Sequence, residues 1–169
     1  MRTRTTSLIA AAALAASTLL MAPATTAQAD ERSCRSSLGA ITVDNLRVPS
    51  GATCTLNGTR VKGTVVVAGG ATLRATAVNV VGNVQAEGHR HVQLDRSTVG
   101  GSVQLKQGGT ATLRSNRVTG DIQLFTNRGT ETVSSNRVNG NLQCKENSPA
   151  PTGGSNVVQG NKEDQCKRL

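Results

Sequence analysis

The sequence predicts an all-β fold: a single-stranded parallel β-helix, right-handed, of about six coils with 19–20 residues each, disulfide-capped at both ends. Three observations carry this. A Val-x-Gly pattern recurs at Val61-Lys62-Gly63, Val80-Val81-Gly82, Val99-Gly100-Gly101, Val118-Thr119-Gly120, Val138-Asn139-Gly140 and Val158-Gln159-Gly160, its glycines stepping by 19, 19, 19, 20 and 20 residues. Two and four residues beyond the first five of these glycines stand the pairs Val65/Val67, Val84/Ala86, Val103/Leu105, Ile122/Leu124 and Leu142/Cys144, the alternation of a strand with one buried face. Finally, the 169 residues hold one aromatic, Phe125, so any core is built from small aliphatic side chains.

A unit this short cannot bury its own apolar row. Stacked in parallel at ~4.8 Å per coil it can, giving a rod roughly 28 Å long with a narrow interior suited to Val, Ala and Leu. Strict six-residue periodicity is absent, which favours the right-handed form. A sandwich or propeller would want hairpin turns every ~8–12 residues and larger core side chains.

In chain order, residues 1–29 read as a cleaved secretory signal peptide. Arg2 and Arg4 supply the basic start, residues 7–22 an Ala- and Leu-rich stretch, and Ala27-Gln28-Ala29 a small-x-small cleavage pattern. Alanine dominates where a membrane span needs about 20 strongly apolar residues. The residues before Cys34, Asp30-Glu31-Arg32-Ser33, lack the small and apolar character of a lipidation site. Export as a free, extracellular protein without a membrane span is expected, with association to the cell envelope open to it. Residues 30–60 form an N-terminal cap and first irregular coil, where Leu46, Val48, Cys54 and Leu56 make a poorer copy of the repeat. Residues 61–157 are the regular coils, and 158–169 a C-terminal capping segment.

Aligned on the repeat, polar residues fall into columns. Gln85, Gln104, Gln123 and Gln143 stand between the apolar pairs and face outward, while Asn116, Asn136 and Asn156 precede the repeat valines by two, with Ser97 in the same column. Such ladders hydrogen-bond from coil to coil and satisfy corner backbone groups. Thr64, Asn83, Ser102, Asp121, Asn141 and Asn161 follow the corner glycines as turn residues. The cysteines lie 20 residues apart (Cys34, Cys54) and 22 apart (Cys144, Cys166), each close to one coil. Of three possible connectivities the repeat selects Cys34–Cys54 and Cys144–Cys166, joining neighbouring coils at opposite ends. Each would contribute ~3 kcal/mol in the chain-entropy view. No Cys-x-x-Cys spacing supports zinc or redox chemistry.

Without the leader, 17 basic and 10 acidic residues leave a net charge of +7, which favours an anionic polysaccharide or cell-wall polymer through salt-sensitive attraction. Nucleic acid is disfavoured, because the aromatic stacking platforms of single-strand binders are missing. The candidate surface is Arg117 and Arg137, each immediately before a repeat valine on neighbouring coils, with Arg114 and Arg128 flanking them. A monomer is expected, since the cysteine caps and the charged tail oppose end-to-end stacking. Catalytic and metal-binding signals are weak. Glu87, Asp95, Asp121, Glu131, Glu146 and Glu163 fall in different columns, and no cofactor is implied. Glu87 sits one coil below Lys106 and Asp95 one below Arg114, as expected of surface ion pairs. His89 and His91 read as surface corner histidines that lack an evident third metal ligand. Thr110-Ala111-Thr112 and Thr130-Glu131-Thr132 make a two-coil Thr patch, too small for an ice-matching face and interrupted by Glu131.

The architecture resembles the pectate-lyase-like right-handed β-helices, whose enzymes cleave acidic polysaccharide with calcium-binding carboxylates and a basic side chain. The carboxylate cluster and long cleft-building loops of those enzymes have no counterpart here, so the resemblance implies fold without activity. For a reduced-size lyase or hydrolase, the alternative, Asp95, His89 and His91 are the first residues to consider. The closing stretch from Gly140-Asn141-Leu142-Gln143-Cys144 through Asn156-Val157-Val158-Gln159-Gly160-Asn161 to Cys166 is similar to that of a group of small secreted bacterial proteins. This likeness spans about residues 60–166; it implies secretion and a β-helix, and transfers no catalytic residue. A non-enzymatic structural or binding protein is the expectation.

Overall fold

A computed structural model describes residues 30–169; the signal peptide expected over residues 1–29 lies outside the described residues. The chain is a parallel β-solenoid with three sheets, each strand pairing with its copy on the next coil. Sheet I has eight strands, from Glu31–Ser33 to Lys162–Asp164; sheet II has seven, from Ser37–Leu38 to Thr152–Gly154; sheet III has seven two-residue strands, from Thr42–Val43 to Val157–Val158. There is no helix among the described residues. This makes about seven coils rather than six, because the segment before Val61 pairs in all three sheets: Leu46 with Val65, Leu56 with Ala75, and Val43 with Val61. Its corner was hidden because Asp44 stands where later coils have glycine, with Asn45 in the place of Thr64 and Asn83.

The register is the one the repeat demands. Val84 pairs with Val103, Val103 with Ile122 and Ile122 with Leu142, all buried; Ala75, Leu94, Leu113 and Val133 form the matching inward row of sheet II. Sheet III supplies Val61, Val80, Val99, Val118 and Val138, so three aliphatic rows meet in a channel too narrow for aromatics. Both disulfides form as expected, Cys34–Cys54 with Cα atoms 5.5 Å apart and Cys144–Cys166 with 5.3 Å. Each joins consecutive coils at one end of the rod. They fit a protein that folds in an oxidising environment.

The repeat glycine has a specific cause. At the corner from sheet III to sheet I, the residue after the glycine points its side chain along the axis and accepts the backbone N–H of its counterpart on the next coil. Asn83 Oδ1 accepts from Ser102 N at 2.8 Å, Ser102 Oγ from Asp121 N at 3.0 Å and Asp121 Oδ1 from Asn141 N at 2.7 Å. A Cβ at Gly101, Gly120 or Gly140 would overlap that same oxygen. The glycine is thus required by close approach, and the left-handed backbone lies at the other two corners: at Ala77, Arg96, Ser115, Ser135 and Ser155 between sheets II and III, and at Gln107, Thr126 and Glu146 between sheets I and II.

Directly after those residues comes the inward amide column. Asn136 is fully buried: its Oδ1 accepts from Asn116 N at 3.0 Å, and its amide donates to Leu113 O at 2.9 Å and to Asn156 Oδ1 at 3.0 Å. Asn116 repeats the pattern toward Ser97 N and Leu94 O. A second buried column, absent from the sequence reading, runs through Asn127 and Asn147 to Gln165 at the corner from sheet I to sheet II. Replacing Asn136 with Ala should cost about 2–4 kcal/mol, since it strands a buried N–H and a buried carbonyl. Denaturant unfolding with the disulfides intact measures it; a loss below that range would mean the column merely fills space.

Candidate functional site

Where the chain crosses from sheet II to sheet III, one residue sits in the left-handed region and the next turns its side chain inward. The outer wall therefore dips, leaving a furrow of about 310 Å³ along the rod. Small residues, Ser115 and Ser135, keep its floor open, and Thr98 adds a hydroxyl on the sheet III side. Arg117 and Arg137 are register partners in sheet III and rise along one bank. Both are exposed, about 4.8 Å apart along the axis, and neither has an acidic partner among the described residues. Like charges on neighbouring strands repel, and a bound anion relieves that repulsion.

The structure thus brings Arg117 and Arg137 together as the sequence anticipated, but it changes their company. Arg114 ends a sheet II strand beside Asp95 and Ser134 and stays outside the furrow. Arg128 lies at the corner from sheet I to sheet II, a different edge of the rod. Arg96 takes their place in the furrow, pinned to Asp95 at 2.8 Å. The signal for Arg96, Ser115 and Ser135 was present, since each immediately precedes the Ser/Asn column, but it meant a corner only once the handedness of the backbone there was known.

The expected ion pairs are in register, Glu87 with Lys106 and Asp95 with Arg114, yet other contacts form. Asp95 bonds Arg96 instead, and the Lys106 ammonium stands 5.8 Å over the Phe125 ring, within reach of its π face.

His89 and His91 part company. His91 is half-exposed at the start of its strand, its Nδ1 2.7 Å from Thr110 Oγ1. His89, expected on the surface, is 2% exposed, and neither ring nitrogen has a hydrogen-bond partner. Its ring occupies the space over Gly108, where any Cβ would overlap it. Gly108 thus interrupts the Asn127/Asn147 column and makes room for an imidazole. Burial, and secondarily the nearby His91, lower the His89 pKa from 6.5 to about 4. Asp95, His89 and His91 therefore do not converge: one points into the core, and the others mark opposite ends of one strand.

Glu131 also differs from expectation. It occupies the inward slot beside Ala111 and is 0% exposed, so it does not interrupt the surface Thr patch. Asn127 donates to its Oε1 at 2.9 Å, while Oε2 has no partner. Burial pushes its pKa up from 4.5 to about 7, against the opposing pull of the Asn127 bond. No group of three or more His, Cys, Asp or Glu converges among the described residues. No protein-family model, curated protein or solved structure matches the chain.

The two buried ionisable groups act on stability in opposite directions. Glu131 ionises near 4.5 when unfolded but near 7 when folded, so it erodes stability as pH rises between those values. His89 ionises near 6.5 when unfolded and near 4 when folded, so it erodes stability as pH falls between them. Glu131→Gln should stabilise the protein above pH 7 by about 3 kcal/mol, with the gain vanishing below pH 4.5. Denaturant midpoints across pH 4–8 check this; a gain independent of pH would show that Glu131 is neutralised by another route.

Proposed function

We propose that the protein is a secreted, non-enzymatic binding protein that holds an acidic cell-envelope or extracellular polymer in the furrow at the corner between sheets II and III. The observation that carries this reading is the pair Arg117 and Arg137, side by side, unpaired among the described residues and backed by the hydroxyls of Ser115 and Ser135. A furrow that continues from coil to coil suits an extended chain of regularly spaced charges better than a compact ligand. Guanidinium groups bind carboxylate and phosphodiester oxygens in paired hydrogen bonds, and serine hydroxyls add further donors. Net charge of +7 on residues 30–169 draws such a polymer in over a longer range. Export is supported by the leader pattern over residues 1–29 and by the two end disulfides.

Co-sedimentation with insoluble cell wall and with acidic polysaccharide, at low and near-physiological salt, tests the reading. The protein should be retained in a salt-sensitive manner. Replacing Arg96, Arg117 and Arg137 with Gln should release it and reduce the logarithmic salt slope by about 1 per arginine for a densely charged polymer. Arg114→Gln should have a smaller effect, because Arg114 lies outside the furrow. Equal retention of the triple variant, with unchanged melting temperature, would remove the furrow from consideration.

A further inference from the structure

The outward column of sheet I reads Arg47, Val66, Gln85, Gln104, Gln123, Gln143, Glu163, one residue per coil. Its amides form a hydrogen-bonded chain with a single direction. Gln85 Nε2 donates to Gln104 Oε1 at 3.3 Å, Gln104 to Gln123 at 3.0 Å, Gln123 to Gln143 at 2.9 Å, and Gln143 to Glu163 Oε2 at 2.9 Å. A carboxylate can only accept, so Glu163 obliges Gln143 to present its NH2, and each amide then orients the one below. Four coils away, the chain ends on the Gln85 carbonyl oxygen, to which no side chain among the described residues donates.

The next slot holds Val66, which has no polar atom, and the one beyond it holds Arg47, anchored through Nε to Glu31 at 3.0 Å. Arginine keeps further N–H donors when one is used. A groove of about 480 Å³ opens over this gap, because Val66 and Ala68 stand one coil below the longer Gln85 and Glu87. Glu87 and Lys106 stand at its rim. Gln85 and Arg47 are two coils apart, roughly 9.6 Å, so the ladder lacks one amide. The missing group must donate an N–H toward Gln85 and present a C=O toward Arg47. A trans secondary amide has its N–H and C=O pointing in opposite directions, as this slot requires.

We propose that this groove binds the acetamido group of an N-acetylated amino sugar, which completes the Gln ladder between Gln85 and Arg47. The acetyl methyl rests on Val66 and Ala68, and ring hydroxyls donate to Glu87 and accept from Lys106. The site lies on a different face from the cationic furrow and does not depend on it.

Titration of the disulfide-intact protein with tri-N-acetylchitotriose, followed by calorimetry, tests the proposal. Cellotriose, which has hydroxyls in place of the acetamido groups, should bind at least about tenfold more weakly, the worth of one hydrogen-bonded amide. Val66→Gln places a carboxamide in the slot; it should abolish binding while leaving the melting temperature unchanged or higher. Gln85→Met, at an exposed position, should weaken binding about tenfold and covers the case in which Val66→Gln folds poorly. Glu163→Gln, remote from the groove, should weaken binding several-fold, because the ladder is then free to reverse. Equal affinity for cellotriose, full affinity in Gln85→Met, or binding of N-acetylalanine methylamide in place of the sugar would each overturn it.

Discussion

Each residue of the regular coils stands over its counterpart at the spacing of a β-ladder, and this vertical register governs what every side chain can do. An aliphatic side chain meets an aliphatic one and the channel fills, as with Val84, Val103, Ile122 and Leu142. An amide meets an amide and forms a bond, as with Gln104 and Gln123, or Asn116 and Asn136. An arginine meets an arginine at Arg117 and Arg137, and neither has an acidic partner among the described residues. Core, ladder and cationic furrow follow from one geometric rule applied to three chemistries.

The interior polar columns solve an accounting problem that the narrow channel creates. Strand N–H groups find carbonyls on the next coil, but the sharp corners leave some N–H groups without that option. Those of Ser97, Asn116 and Asn136 are accepted instead by an Asn side chain one coil on, and each Asn returns its own amide to a carbonyl. Loss of one member therefore affects three coils. His89 and Glu131 are the places where the system is incomplete, with ring nitrogens and a carboxylate oxygen left unpaired.

What was legible in the sequence was whatever repeats along one dimension. The strand pattern, the Gln and Asn columns, the cysteine pairing and the adjacency of Arg117 and Arg137 all depend on spacing alone. What needed the third dimension was less accessible. The left-handed corners are held by Ala77, Arg96 and Ser115, which have no special propensity for that conformation, while the conspicuous glycines serve close approach. His89 is buried because of an absent side chain at Gly108, one coil away. Glu131 was placed at the surface because carboxylates seldom enter a core unpaired, and here one does with a single Asn partner. Arg114 and Arg117 are close in sequence, but a corner puts them on different walls.

The placement of the disulfides also determines how the rod transmits tension. A pull applied at residue 30 reaches Cys34 and crosses directly to Cys54, so the coil between them carries no load; a pull at residue 169 crosses from Cys166 to Cys144 in the same way. Force enters the stack at the second coil from either end. From there the chain can only peel, one coil at a time, each releasing roughly 65 Å of extended chain. The clamped end coils stay shut as rigid handles on a structure that lengthens from within.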